Sequence, residues 1–294
     1  MFKYIKWPVF IFIFFAGIGI ITINLASYAY NAPQPVLKEY FDKLATEFTL
    51  KKITHNNRSL RYLESGLKNN KAPLLVFIHG APGSIDQFKT FHADYDLKNS
   101  FKIISVDRLG YGESDRGRAE ININVQAEVI SKVLKQYDPV QTLIIAHDYG
   151  CNISALIAAK DSTITDGIIM YAPSINPTSK HTKWYHHIIN NGLFRTILPD
   201  HINVSTVERI NQEKSLSDIK YEWQKINCPI LFLSEKSETK TKDNIEINFA
   251  KNHIPEHILH IKHRAGIGHL HIWKNKALLK NIILEFLADQ VSPE

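Results

Sequence analysis

The fold is decided by the segment Ile144-Ile145-Ala146-His147-Asp148-Tyr149-Gly150-Cys151. An apolar run beginning at Thr142 predicts a buried strand, and apolar residues at helical spacing from position 153 onward predict a helix directly after it. The residues two positions before and after Asp148 are small, which lets the backbones approach closely in a tight turn. Such a turn would lift the side chain of Asp148 above the end of the strand.

Asp148 then has two interpretations. A carboxylate in this position can attack an sp3 carbon and form an ester between the enzyme and its substrate, which water must hydrolyse with the help of a base and an oxyanion hole. Alternatively, Asp148 caps the helix that follows, because aspartate is a favoured N-cap residue. The rest of the chain is needed to choose between them.

Composition limits the class of protein. The chain has 294 residues, of which 44% are hydrophobic and 22% charged, enough for one large globular domain. The formal net charge is +6, and no dense Lys/Arg stripe is interleaved with aromatic residues, so nucleic acid is not expected as a partner. No metal site is expected either, because Pro255 prevents the histidines at 253, 257, 260 and 263 from sharing a helix face.

The N-terminus predicts export. Residues 7–23 are uncharged and strongly apolar, and the only charges before residue 30 are Lys3 and Lys6, which precede this run. The positive-inside rule then favours a cytoplasmic N-terminus. We expect residues 1–29 to form either an uncleaved signal anchor, with the catalytic domain on the extracytoplasmic side of the membrane, or a signal peptide that is removed after export. Residues 30–47 are expected to form a linker and a short helix.

Strands alternate with helices over the rest of the chain, which predicts an α/β fold with a mostly parallel sheet flanked by helices. Residues 48–63 predict a hairpin around Asn56-Asn57. Further strands are predicted at 74–78, 101–106, 142–146, 167–171, 228–233 and 258–261, and helices at 121–137, 245–250 and 272–287. The polar segment at about 174–222 interrupts this alternation and is expected to form a small helical cap. Cys151 and Cys228 are expected to be buried small hydrophobes.

Three more motifs flank the central turn in chain order. His79-Gly80-Ala81-Pro82 follows one predicted strand, Asp107-Arg108-Leu109-Gly110-Tyr111-Gly112-Glu113-Ser114 follows the next, and Gly268-His269 precedes the last helix. In the second motif, Asp107 and Arg108 are expected to brace loops. Together with the central turn, these motifs resemble the α/β-hydrolase fold family over residues 48–294. The aspartate in the turn is similar to that of the epoxide hydrolase and haloalkane dehalogenase branch.

This resemblance implies roles for individual residues. Asp148 would be the nucleophile, His269 the base that activates water, and the backbone N–H groups of Ala81 and Tyr149 the oxyanion hole. In epoxide hydrolases, tyrosines of the cap protonate the leaving alkoxide, and Tyr185 and Tyr221 match that role. No cofactor or metal is implied.

Two departures from the family pattern affect the expected reaction. Dehalogenases of this branch carry tryptophan after the nucleophile, where this chain has Tyr149, so the resemblance to epoxide hydrolases is the stronger. The acid that orients the histidine is absent after the 167–171 strand, and Glu238 is the best match after the 228–233 strand.

We therefore predict an exported, epoxide hydrolase-like enzyme that acts on a moderately apolar small molecule. The alternatives are a catalytically impaired hydrolase-fold binding protein and a haloalkane dehalogenase-like hydrolase.

Overall fold

A computed structural model of the protein describes residues 33–179, 182–235, 241–264 and 276–291, with isolated positions between 7 and 22. Its strands are β1 (Phe48–His55), β2 (Arg58–Gly66), β3 (Leu74–Ile78), β4 (Lys102–Val106), β5 (Thr142–His147), β6 (Gly167–Tyr171), β7 (Ile230–Glu235) and β8 (Leu259–Arg264). Its α-helices are α1 (Gln34–Lys43), α2 (Lys89–His92), α3 (Tyr95–Ser100), α4 (Ile123–Leu134), α5 (Gly150–Lys160), α6 (Trp184–Ile189), α7 (Gly192–Ile197), α8 (Asp200–Ile219), α9 (Thr241–His253) and α10 (Lys276–Phe286). Short 3-10 segments lie at Ile85–Phe88, Glu222–Lys225 and Glu256–Ile258, and a π-helical turn at Leu287–Val291.

The described strands form one sheet in the order β1-β2-β4-β3-β5-β6-β7-β8. The hairpin of β1 and β2 is confirmed, and both residues of its turn, Asn56 and Asn57, have positive φ angles. Asparagine tolerates this conformation well, and it matches the twist of the flanking strands. β2 also pairs antiparallel with β4, whereas the pairs from β4 to β8 are parallel.

The central strands are buried on both faces, as a parallel sheet requires. Side chains at 74, 76 and 78 of β3 belong to one hydrophobic core and those at 75 and 77 to the other. Helices α4, α5 and α9 contribute to the first core, and α2, α3 and α10 contribute to the second. Cys151 and Cys228 are buried free thiols, as expected.

The topology brings two loops together. β3 lies between β4 and β5, so the strand order reverses at β3, and ligands of open α/β sheets bind beside such a reversal. Ile78 of β3 is in register with Ala146 of β5. The residues that follow these two strands, including Ala81 and Asp148, therefore meet at the carboxyl edge of the sheet.

The strands predicted at 74–78 and 167–171 are confirmed with the same bounds, and the helix predicted at 245–250 extends over Thr241–His253. Residues 174–222, which we call the cap segment, contain α6, α7 and α8. Within the described part of the chain, no helix combines the length and apolar character needed to cross a membrane. Most of the predicted N-terminal signal segment lies outside the described residues.

Candidate active site

Asp148 occupies a sharp turn between β5 and α5. Its φ angle of +48° lies in the left-handed region, which is uncommon for residues other than glycine and often marks a functional site. A Cβ atom on Gly150 would lie 2.7 Å from the carbonyl oxygen of Ile78, and one on Gly80 would lie 2.7 Å from the Cβ of Asp148. The loops after β3 and β5 thus approach so closely that both positions require glycine.

The carboxylate of Asp148 lies between a backbone donor and a cation. The residue is only 3% exposed, and its Oδ2 accepts from the N–H of Ala81 at 3.1 Å and from Nη2 of Arg209 at 2.9 Å. Nη2 also donates to the carbonyl oxygen of Ala81 at 3.2 Å, and Nη1 donates to Oε1 of Gln212 at 2.8 Å. Because Arg209 belongs to α8, the cap segment supplies a positive charge directly to Asp148.

Tyr149, the second predicted oxyanion donor, is the N-cap residue of α5. The first N–H groups of a helix have no intrahelical partner, so the N–H of Tyr149 is at the end where an anion is favoured. The tyrosine ring is buried and lies 4.8 Å from the guanidinium carbon of Arg108. The oxyanion role of Tyr149 stays a prediction.

A buried ion pair fixes the cap segment to the sheet domain. Arg108 and Glu208 have fully buried side chains, and Nη1 and Nη2 of Arg108 donate to the two carboxylate oxygens at 2.7 and 3.0 Å. The hydroxyl of Tyr111 donates to Oε2 of Glu208 at 2.6 Å. Arg108 also donates to the carbonyl oxygens of His79 and Gly80 at 2.9 and 3.0 Å. One side chain thereby joins the loop after β3 to α8, next to the residue that contacts Asp148.

His79 is held as a neutral structural residue. Its Nε2 accepts from the N–H of Arg108 at 2.9 Å, and its Nδ1 pairs with the carbonyl oxygen of Gly80 at 2.7 Å. Burial, and then the charge of Arg108, hold the pKa of His79 well below its usual range. Both ring nitrogens are engaged, so His79 shapes the loop that carries Ala81.

Asp107 braces loops, as expected from the sequence. Its Oδ1 accepts from the N–H of Ile85 at 2.9 Å, and its Oδ2 accepts from the N–H of Glu113 at 3.1 Å and from Nε of Arg61 at 2.6 Å. A Cβ atom on Gly112, which has a φ of +53°, would lie 2.1 Å from this carboxylate. The glycine is required for the loop to close over Asp107.

His269 and Glu238, the predicted base and acid, lie outside the described residues. Both tyrosines are exposed: Tyr185 is 39% exposed with its ring 4.5 Å from that of His186, and Tyr221 is 65% exposed with its ring 4.8 Å from Nζ of Lys220. Neither tyrosine forms a hydrogen bond with Asp148 in the described structure. Their role as proton donors stays a prediction.

The loop after β6, which begins Ala172-Pro173-Ser174, borders the turn. The N–H of Ser174 donates to the carbonyl oxygen of Asp148 at 3.4 Å. Glu246 of α9 holds the same loop by accepting from the N–H groups of Ile175 and Asn176, each at 2.7 Å. These bonds fix the side of the turn opposite to Ala81.

Arg209 and Glu208 were not singled out from the sequence. The side of α8 that faces the sheet domain is largely polar, with Asn203, Thr206, Glu208 and Gln212 all buried. The pattern of apolar residues in α8 therefore does not show which side of the helix is buried. The adjacent opposite charges at 208 and 209 are the only sequence signal, and such pairs are common on exposed helices.

Among the described residues, no group of three or more His, Cys, Asp or Glu side chains is placed to hold a metal ion. A surface groove of about 710 Å³ lies between α1 and the β1–β2 hairpin. Its lining includes neither Asp148 nor Ala81 nor Arg209, so this groove is separate from the candidate active site at the carboxyl edge of the sheet.

Comparison with known proteins agrees with this geometry. A family model for the alpha/beta hydrolase fold matches residues 73–205, which include β3, the turn at Asp148 and the first part of the cap segment. The sheet order and the position of the turn are those expected of that fold. The chain has the α/β-hydrolase fold.

Similar solved structures include a phospholipase and an epoxide hydrolase. A bacterial membrane phospholipase A aligns with a TM-score of 0.63 at 16% identity and covers 94% of this chain and 99% of its own. The Cif epoxide hydrolase from Acinetobacter nosocomialis aligns with a TM-score of 0.65 at 14% identity over 87% of this chain and 97% of its own. At these identities the likeness concerns the fold alone.

A curated relative is similar in sequence over part of the chain. The probable lysophospholipase BODYGUARD 4 of Arabidopsis thaliana is 30% identical over 107 residues, which is 36% of this chain and 26% of that protein. The chain thus matches about a quarter of the length of this relative. Lipases and epoxide hydrolases both appear among the similar proteins, so the reaction has to be argued from the site itself.

Proposed function

We propose that the protein is a hydrolase that forms a covalent alkyl ester on Asp148, with a reaction similar to that of epoxide hydrolases. The observation that supports this most is the buried carboxylate of Asp148 at a positive φ angle, with Oδ2 bonded to the N–H of Ala81 at 3.1 Å. Because Oδ2 accepts from Ala81 and Arg209, we assign the attack on the substrate to Oδ1.

The proposed reaction has two steps. Oδ1 attacks an epoxide carbon and the carbon–oxygen bond of the ring breaks. The resulting alkoxide takes a proton from a tyrosine of the cap segment, the role predicted for Tyr185 and Tyr221, to give a hydroxyalkyl ester. Water, activated by His269 as base, then attacks the Cγ of Asp148, and the negative charge moves to Oδ2. When the intermediate collapses, the bond between Cγ and Oδ1 breaks, and the leaving oxygen takes the proton from His269 to give the diol. The new hydroxyl on Cγ then gives its proton to the tyrosinate left by the first step, which restores the carboxylate of Asp148.

The chemistry of aspartate favours this reaction over that of lipases and esterases. A carboxylate that attacks an ester carbonyl forms an intermediate that expels the carboxylate again, because an alkoxide is the poorer leaving group. Attack on an sp3 carbon gives the alkyl ester in one displacement, without an intermediate that could expel the carboxylate, when the carbon belongs to a strained ring or carries a good leaving group. The moderately apolar small molecule predicted from the sequence, carrying an epoxide ring, fits this requirement.

Trapping the ester tests the proposal. His269→Gln removes the proposed base, so incubation with styrene oxide should leave a hydroxyalkyl adduct on the peptide that contains Asp148, as read by mass spectrometry. Asp148→Asn is the matched control and should give no adduct and no diol. Turnover of styrene oxide by the wild type without an adduct in His269→Gln would contradict the covalent mechanism.

The ion pair between Asp148 and Arg209, at 2.9 Å, favours a second candidate, a hydrolase-fold binding protein without catalysis. In that protein the pair would serve only to hold α8 in place. The wild type would then convert no epoxide or haloalkane, and Asp148 would remain unmodified in every variant.

A further inference from the structure

We propose that Arg209 is a catalytic residue of ester hydrolysis, whose guanidinium stabilises the oxyanion that forms on Oδ2 of Asp148. This inference rests on the proposed function and assigns a role to a residue of the cap segment. It implies that the two steps of the reaction depend on Arg209 in opposite directions.

The geometry identifies the atom on which Arg209 acts. Nη2 of Arg209 lies 2.9 Å from Oδ2 of Asp148, and the N–H of Ala81 lies 3.1 Å from the same oxygen. Oxyanion donors are found at about 2.7–3.1 Å from the oxygen that becomes charged. Arg209 therefore adds a charged donor from the cap segment to the backbone donor from the loop after β3.

The guanidinium is held in place before the reaction begins. It also donates to the carbonyl oxygen of Ala81 at 3.2 Å and to Gln212 at 2.8 Å. The preceding residue, Glu208, is fixed by the buried ion pair with Arg108. A donor that is already oriented costs no reorganisation when charge develops, and this is the basis of electrostatic stabilisation in active sites.

The charge of Arg209 persists in this environment. Burial lowers the pKa of Arg209, but the negative charge of Asp148 and the neighbouring Tyr111 and Glu208 outweigh this effect and raise the pKa. The residue thus stays a cation at neutral pH throughout the reaction.

The two steps differ in how charge moves at Asp148. During alkylation, the negative charge of the carboxylate passes to the epoxide oxygen, so attraction to Arg209 weakens and the residue opposes the step. During hydrolysis, water loses a proton to His269 and its oxygen bonds to Cγ. The pair of electrons of the carbonyl bond moves to Oδ2, where Arg209 favours the step. Collapse of the intermediate returns these electrons and breaks the bond between Cγ and Oδ1.

Arg209→Gln tests this division of roles in single-turnover experiments with styrene oxide. Loss of one preorganised donor should slow hydrolysis of the ester by about 100-fold, while alkylation is as fast as in the wild type or faster. The alkyl-enzyme should then accumulate without any change at His269. Arg209→Lys should restore part of the hydrolysis rate, because a cation is again available near Oδ2.

Arg195→Gln is the matched control, since Arg195 is an exposed arginine of α7 in the same cap segment, and both of its rates should equal those of the wild type. Thermal unfolding of each variant separates loss of folding from loss of catalysis, because misfolding slows both steps together.

If the wild type forms an adduct and Arg209→Gln hydrolyses it at the wild-type rate, or if both steps slow equally, the role of Arg209 is refuted while the proposed function stands. If no adduct forms on Asp148 in any of these enzymes, both are refuted.

Discussion

Replacement of Glu208 by glutamine should destabilise the protein strongly, although Glu208 lies in the cap segment. The carboxylate accepts from both terminal nitrogens of Arg108 at 2.7 and 3.0 Å, from the hydroxyl of Tyr111 at 2.6 Å and from Gln126 at 3.3 Å. In Glu208→Gln the positive charge of Arg108 stays buried without a counter-ion.

The expected magnitude follows from this burial. Both side chains of the pair are fully buried, and removal of one partner from a buried ion pair costs about 3–5 kcal/mol, because the other charge is left uncompensated. Glutamine keeps one acceptor oxygen, so we expect a loss of about 3 kcal/mol. In a domain of this size that corresponds to a fall in Tm of roughly 6–12 °C.

Urea denaturation followed by circular dichroism measures this loss as a change in the free energy of unfolding. Glu213→Gln is the matched control, since Glu213 is an exposed residue of the same helix, and we expect it to change stability by less than about 0.5 kcal/mol. A loss below about 1 kcal/mol for Glu208→Gln, the range of exposed ion pairs, would refute the view that this pair anchors the cap segment.

Three further predictions follow from other parts of the structure. Gly80→Ala places a Cβ atom 2.7 Å from that of Asp148 and should lower kcat/KM for styrene oxide by about 100-fold. Gly192→Ala is the control, since Gly192 has open space around it, and it should leave kcat/KM unchanged. Equal values of kcat/KM for the two variants would contradict the close approach of the two loops. Burial lowers the pKa of His92 to about 3. Below about pH 6.5 the unfolded state therefore binds a proton at His92 that the folded state does not bind. His92 should then lower the free energy of unfolding by about 2 kcal/mol at about pH 5, relative to neutral pH. His92→Gln should reduce the difference in urea stability between about pH 7.5 and pH 5 by that amount, and an unchanged difference would show that other groups cause it. Tyr185 and Tyr221 are the predicted donors of the proton that the leaving alkoxide takes, so replacing both by phenylalanine should slow alkylation by styrene oxide by about 100-fold in single-turnover measurements. A wild-type rate of alkylation in this double variant would rule out the role for both tyrosines.

The sheet could be predicted from the sequence because its strands are short, continuous apolar runs separated by clear turn signals. Leu74–Ile78 and Gly167–Tyr171 are buried on both faces, and such runs have few alternatives in an α/β chain. The turn at Asp148 could be predicted for the same reason, since a strand, small residues and a helix follow one another within a short stretch.

The partner of Asp148 could not be predicted, because it comes from a distant and polar part of the chain. Arg209 is 61 positions away in sequence from Asp148, and Glu208 is 100 positions from Arg108. The buried side of α8 carries polar side chains that are satisfied only after the cap segment has packed on the sheet domain. Local patterns of apolar residues hold no information on such contacts.

Esterification of Asp148 itself can be detected by a single turnover in water enriched in ¹⁸O. With the enzyme in excess over styrene oxide, water attacks Cγ of Asp148, so the diol should be unlabelled and the peptide containing Asp148 should gain ¹⁸O. Label in the diol, together with an unlabelled Asp148 peptide, would mean that water attacks the substrate directly and that Asp148 is not esterified.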